Sequence, residues 1–169
     1  MINHNMEAAF NKQINAEFYS AYMYLSMCAH FEDMNLLGFA NWMKVQTQEE
    51  VAHAMGIFDY LHSRGGKAIL EQIDKPPHHW DSPLHIFEEA LKHEQHVTSL
   101  IWNLADIAES EKDRASMTFL KWYIDEQVEE EDTAGNLVAK LKLIGSDANA
   151  LLQLDKDLAA RTFTPPVIG

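Results

Sequence analysis

The stretch that decides the fold is residues 39–60, which read FANWMKVQTQEEVAHAMGIFDY. Residues spaced alternately by three and four positions share one face of an α-helix, and a helical bundle turns that face inward. In this stretch the face is apolar at both ends and polar in the middle: Phe39, Met43, Gln46, Glu50, His53, Ile57 and Tyr60. The pattern predicts a buried helix that carries a carboxylate and an imidazole into the core.

Three further segments have the same design, with apolar ends and a polar interruption near the middle. The interruptions are Glu17 with Tyr24, then Glu94, then Gln127 with Glu130. In the first of these segments the apolar row is Ile14, Phe18, Ala21, Leu25 and Cys28, beside the row Phe10, Glu17, Tyr24 and Phe31. Because the segments have similar lengths, we expect the four interruptions to lie at one level of the core.

The sequence between these segments predicts the topology. Gly65-Gly66, Pro76-Pro77, Ser82-Pro83 and Gly145 are strong helix stop or start signals. They delimit predicted helices at about 7–31, 36–63, 83–109, 113–143 and 147–161. The connection after the second helix has about 18 residues, which can extend ~60 Å and cross a bundle ~40 Å long. We therefore predict an all-α four-helix bundle with one long crossover between helices two and three and a short fifth helix. Residues 1–169 are expected to form a single domain.

Composition and charge restrict the environment and the partners. The 169 residues include 26 acidic and 13 basic ones, a formal charge of −13, which argues against a nucleic-acid or anionic-membrane partner. The only cysteine, Cys28, cannot form an intrachain disulfide, and the first residues lack the features of a signal peptide. No stretch near the start is long enough for a membrane helix. We expect a cytoplasmic protein.

Four carboxylates in one buried layer, Glu17, Glu50, Glu94 and Glu130, need compensation. No Lys or Arg falls on the four inward faces. Protonation could neutralise one or two of the carboxylates, and two divalent cations would balance all four. Carboxylate oxygens with one imidazole suit iron, manganese or zinc better than calcium or magnesium. Iron is the leading candidate.

With these residues in place, the chain resembles the non-haem ferritins of bacteria, members of the ferritin-like di-iron family, over essentially its whole length. The resemblance implies a two-iron ferroxidase centre in which Glu50 bridges the ions. Its other implied ligands are Glu17, His53, Glu94 and Glu130. It also implies that Gln127 lies near the second iron, that Tyr24 and Trp122 lie beside the centre, and that Glu49, Glu126 and Glu129, with Glu130, form a third iron position.

The chain differs from two related families, the bacterioferritins and the rubrerythrins, at positions that bind their cofactors. Bacterioferritins have a second Glu-x-x-His motif where this chain has Gln127 and Glu130, and their haem-ligating methionine corresponds to Val51 here. We therefore expect no haem. A single cysteine also excludes the Cys-x-x-Cys iron domain of rubrerythrins.

The resemblance implies that the protein stores and detoxifies iron. It would oxidise Fe(II) to Fe(III) with oxygen or hydrogen peroxide and hold the ferric mineral inside a shell of twenty-four copies. Two alternatives stay open at the level of sequence. One is a small di-iron oxidase or peroxidase that acts on an organic substrate, and the other is a structural bundle that never binds iron.

Overall fold

The computed structural model describes residues 1–168, and Gly169, the last residue of the predicted domain, lies outside the described residues. The chain forms five helices: α1 His4–Asp33, α2 Leu37–Ser63, α3 Pro83–Ser110, α4 Arg114–Ile144 and α5 Ala148–Leu158. Residues 1–168 contain no strand, and the all-α prediction is confirmed. None of the described helices is long and apolar enough to cross a membrane.

The helix ends follow the predicted signals within a few residues. Side chains of Asn3, Ser82, Asp113 and Asp147 accept hydrogen bonds from first-turn amides of α1, α3, α4 and α5, as expected of N-cap residues. The first helix begins earlier than predicted because Asn3 caps it. The fifth ends at Leu158 rather than 161 and continues as a turn.

The crossover, residues 64–82, runs along α1 for much of its length. The side-chain amides of Asn11 and Asn15 donate to the carbonyl oxygens of Lys67 and Gln72, at 2.9 and 3.0 Å. Nearer the end of α1, Ser26 Oγ donates to the carbonyl oxygen of Pro77 at 2.6 Å. The connection therefore passes from one end of the bundle to the other, as its length predicts.

The core consists of two apolar clusters with polar side chains between them. One cluster includes Phe31, Phe39 and Phe87, and the other includes Phe10 and Phe119. The helices thus pack through apolar side chains at both ends of the bundle. The polar layer that the sequence predicts lies in the middle of the bundle, between the two clusters.

One predicted core position in α1 is wrong. Leu25 is 47% exposed, whereas Tyr24 beside it is buried. Helix α1 packs against both α2 and α3, so its inward face is centred on the row that contains Phe10, Glu17 and Tyr24. Leu25 consequently lies on the outer surface of the bundle.

Helix α5 docks against the first turn of α2. The N-cap residue of α2, Leu36, has no capping side chain. Instead Asp155 Oδ1 accepts from the amides of Gly38 and Phe39 at 2.8 and 2.9 Å. A Cβ on Gly38 would lie 1.6 Å from the carbonyl oxygen of Asp155, so only glycine permits this approach.

Candidate metal centre

Five of the predicted ligands lie together in the polar layer. Glu17 comes from α1, Glu50 and His53 from α2, Glu94 from α3 and Glu130 from α4. All five are buried, with at most 7% of their surface exposed. The similar lengths of the helices therefore bring the four interruptions to one level, as the sequence indicates.

Glu17, Glu50 and His53 form a group that could hold a metal ion. One ligand atom from each lies within 4.8 Å of the other two. His53 Nδ1 is 3.5 Å from Glu50 Oε2, and His53 Nε2 is a buried nitrogen without a hydrogen-bond partner among residues 1–168. A buried polar atom without a partner is costly and uncommon. The imidazole thus has Nδ1 beside Glu50 and an unpartnered Nε2 that is 4.0 Å from Glu126, and a buried imidazole among carboxylates fits the donor set of a metal site.

The α3 and α4 side of the layer is held by hydrogen bonds to Glu94. Tyr24 Oη donates to Glu94 Oε1, and Gln127 Nε2 donates to Glu94 Oε2 at 3.2 Å. The same amide is within 3.3 Å of Thr98 Oγ1. These donors fix the carboxylate while leaving oxygen lone pairs available to a cation.

The electrostatics of the layer are those of uncompensated negative charge. Among the described residues, no Lys or Arg forms an ion pair with Glu17, Glu50, Glu94 or Glu130. Burial, with repulsion from Glu50, raises the pKa of Glu17 to about 8. Burial is also the main cause that raises the pKa of Glu50, Glu94 and Glu130. Protonation is the response of such groups in the absence of a cation.

The residues of the predicted third position lie at the edge of the layer. Glu126 is half-buried, with Oε1 4.0 Å from His53 Nε2, and burial raises its pKa. Glu129 is exposed. Glu49 is partly buried and forms an ion pair with Arg161. Glu49 is thus paired with Arg161, Glu126 lies near His53, and Glu129 faces solvent.

Two glutamines that support the centre were not assigned a role from the sequence. Gln13 Nε2 donates to Glu17 Oε1 at 2.8 Å. Gln46 Nε2 donates to Glu130 Oε2 at 2.7 Å and to Glu50 Oε1 at 3.3 Å. Each glutamine lies four residues before a predicted ligand glutamate on the same helix, so the repeated Gln-x-x-x-Glu spacing is a usable signal.

Aromatic residues enclose the imidazole side of the group. The Trp122 ring lies edge-on to the His53 ring at 5.4 Å between centroids, which places Trp122 beside the centre. Tyr123 Oη donates to the backbone carbonyl of His53 at 2.8 Å. Together they restrict the position of the helical turn that carries His53.

These features define a class of protein: an all-α bundle with a long crossover and a buried carboxylate and histidine centre suited to a metal ion. Residues 7–144 match the Ferritin family, described as a ferritin-like domain. With curated relatives above 40% identity over nearly all of it, the chain belongs to the ferritin family.

The relatives are similar over nearly their whole lengths. The chain is 45% identical over 161 residues to a bacterial non-heme ferritin of Bacteroides fragilis, covering 95% of this chain and 100% of the relative. It is 42% identical over 163 residues to one of Staphylococcus saprophyticus, covering 96% and 98%. A solved open-pore ferritin from Archaeoglobus fulgidus has a TM-score of 0.95 at 52% identity, with 96% and 100% covered. The predicted family resemblance is confirmed.

Proposed function

We propose that the protein stores iron and oxidises Fe(II) to Fe(III) at the polar layer, with oxygen or hydrogen peroxide as the oxidant. One observation carries the proposal. The buried imidazole of His53, one nitrogen of which has no hydrogen-bond partner among the described residues, lies beside Glu17 and Glu50, and none of the four carboxylates of the layer is paired with a described Lys or Arg. Membership of the ferritin family supports iron as the ion.

The positions of the side chains suggest how two substrate ions would be shared. Glu17 and His53 would hold the first ion, and Glu94 and Glu130 the second. Glu50 lies within ligand distance of the first group and shares Gln46 with Glu130, so it is suited to bridge the ions. Gln127 would hold Glu94 in place and lie near the second ion. A pair of neighbouring ions can bind and reduce one oxidant together.

Proton release accompanies binding in this proposal. The pKa of Glu17 is about 8, so at neutral pH this carboxyl holds a proton that a cation must displace. Tyr24 and Gln127 donate to the two different oxygens of Glu94 and so keep this carboxylate orientated through the exchange. Hydrogen bonds from Gln13 and Gln46 to the other carboxylates likewise position the proposed ligands before the ions enter.

The wider proposal covers assembly and location. We propose that residues 1–169 form one domain, that twenty-four copies enclose the ferric mineral, and that the protein acts in the cytoplasm without haem. Iron leaving the centre would pass Glu49, Glu126 and Glu129 on its way to the mineral. The ferritin relatives support a homo-oligomeric cage.

The test is an anaerobic Fe(II) titration of the metal-free protein, followed by stopped-flow oxidation. We expect two tightly bound ions per chain, and we expect Glu50→Ala and His53→Ala to lose tight binding and slow oxidation at least tenfold. The shells should still assemble, because each change removes a charge or a polar atom that lacks compensation.

Asp59→Ala is the matched control, since Asp59 is an exposed acidic residue on the same helix. It should bind and oxidise iron as the unmodified protein does. Unchanged binding and oxidation in Glu50→Ala and His53→Ala would contradict the site. Failure of the unmodified protein to bind Fe(II) would contradict the function.

A further inference from the structure

The C-terminal tail, residues 161–168, lies along α2 next to the metal centre. At one end, the side-chain amide of Asn41 donates to the carbonyl oxygen of Arg161 at 2.9 Å. At the other, a Cβ on Gly56 would come within 2.7 Å of Ile168 Cδ1. These contacts are separated by about 20 Å of helix. The tail therefore passes the turns of α2 that carry Glu49 and His53.

Arg161 at the start of this tail is held by contacts on several sides. Its guanidinium lies over the buried Trp42 ring, with Cζ 4.5 Å from the centroid. Nη1 donates to Gln46 Oε1 at 2.9 Å, and Nη2 donates to Glu49 Oε2 at 2.5 Å. The side chains of Arg161 and Glu49 are only 24% and 21% exposed. This geometry is that of a built ion pair rather than of two mobile surface chains.

The ion pair engages Glu49, a carboxylate that lies on the proposed path for iron. A guanidinium is always charged and can only donate hydrogen bonds. Arg161 therefore balances the charge of Glu49 as a bound metal ion would. We propose that Arg161 is the resident counter-cation of the third position, and that a metal ion binds there only by displacing the guanidinium from Glu49. The inference rests on the proposed function, because it assumes that iron passes this position.

The ion pair sets an order of binding. Glu17, Glu50 and His53 have no competing Lys or Arg among residues 1–168, so ions bind the centre first. An ion that moves outward to Glu49 must break the contact with Arg161. Arg161 thus weakens the binding of a metal ion at the third position, and it favours onward transfer of the ion over retention.

The test is calorimetric titration of the metal-free, full-length protein with Zn²⁺, which binds such ligands but cannot be oxidised. The third binding step is identified as the step that Glu49→Gln removes. We expect Arg161→Gln to tighten this step roughly three- to tenfold, the strength of a partly buried ion pair. Arg161→Lys keeps the positive charge and should restore affinity near that of the unmodified protein.

Two further variants separate competition from a general effect of the tail. Lys156→Gln removes a positive charge from the exposed side of α5 and should leave all three steps unchanged. The double variant Arg161→Gln with Glu49→Gln should show no tightened third step. A gain that persists in this double variant would overturn the proposal, because the competition would then not be for Glu49.

The failure of this inference is distinguishable from failure of the proposed function. If the unmodified protein binds two tight ions but Arg161→Gln leaves the third step unchanged or weaker, the role of Arg161 is overturned and the centre stands. If two tight ions do not bind at all, the proposed function itself is overturned. Far-ultraviolet circular dichroism and sizing of each variant verify that the helices and the assembly are intact.

Discussion

Glu17 illustrates how a buried carboxyl group, here a proposed metal ligand, changes the stability of the metal-free protein. Burial and the neighbouring Glu50 raise its pKa from 4.5 to about 8, so between these values the folded protein keeps a proton that the unfolded chain gives up. Stability contributed by this proton is present at low pH and is lost as pH rises from about 4.5 to 8. Glutamine resembles the protonated carboxyl and cannot ionise.

Glu17→Gln should therefore raise the melting temperature of chelator-treated protein at pH 8.5, by on the order of 5 °C. At pH 4.5 the difference should largely disappear. Thermal unfolding followed by circular dichroism at both values measures the effect. Equal melting temperatures at pH 8.5 would mean that Glu17 is already ionised without cost in the folded protein.

Two buried tyrosines near the layer give a second test at the residue scale. Tyr24 donates to the carboxylate of Glu94, whereas Tyr123 donates to the backbone carbonyl of His53. Tyr24→Phe should weaken binding of the second ion roughly three- to tenfold, because Glu94 loses a donor that orients it. The first ion should be unaffected. Zn²⁺ calorimetry measures both steps.

Tyr123→Phe is the matched control for this change. It removes the same hydroxyl from another buried tyrosine, so it should lower stability by about 1 kcal/mol while leaving the affinity of the second ion unchanged. A similar loss of affinity in both variants would show that the layer responds to any lost hydroxyl rather than to the contact with Glu94.

At the scale of helices, regular spacing determined what could be predicted from sequence. Glu50 and His53 lie on an apolar row, and this periodicity was sufficient to predict their burial and the polar layer. Leu25 is wrongly predicted to be inward because α1 has two adjoining rows that are both mostly apolar. Only the packing of α1 against α3 selects between them. Arg161 follows no periodic pattern, since a tail obtains its position from contacts made after the helices have packed.

The docking of α5 gives a prediction at the same scale. Gly38→Ala would place a Cβ 1.6 Å from the carbonyl oxygen of Asp155, so α5 must move and the cap that Asp155 provides to α2 is lost. We expect a loss of about 1–3 kcal/mol in the free energy of unfolding, measured by denaturant unfolding.

Gly135→Ala is the control for helix propensity. Gly135 lies in α4, and a Cβ there would have nothing within 4 Å among the described residues. This substitution should stabilise the protein by about 0.5–1 kcal/mol. If both alanines stabilise to the same extent, α5 does not dock closely on α2.

At the scale of the whole molecule, the α1/α2 patch is an apolar surface that one chain leaves exposed. It consists of Tyr22 and Leu25 of α1, Val51 of α2 and Ile73 of the adjoining crossover, which line one groove and are each at least 39% exposed. Contiguous apolar surface of this kind is typical of a contact between subunits. A twofold contact would bring the patch against its own copy in a second chain. Such a contact would explain why Leu25 is hydrophobic although it lies outside the core.

Leu25→Glu should therefore disrupt the shell. It would place two like charges in a contact that excludes water, at a cost that the apolar contact cannot offset. Size-exclusion chromatography with light scattering should show small species of unchanged helix content. Val128→Glu, at an exposed apolar position on α4 outside the patch, should assemble as the unmodified protein does. If Leu25→Glu assembles normally, the patch is not a subunit contact, and the shell must form through other faces of the bundle.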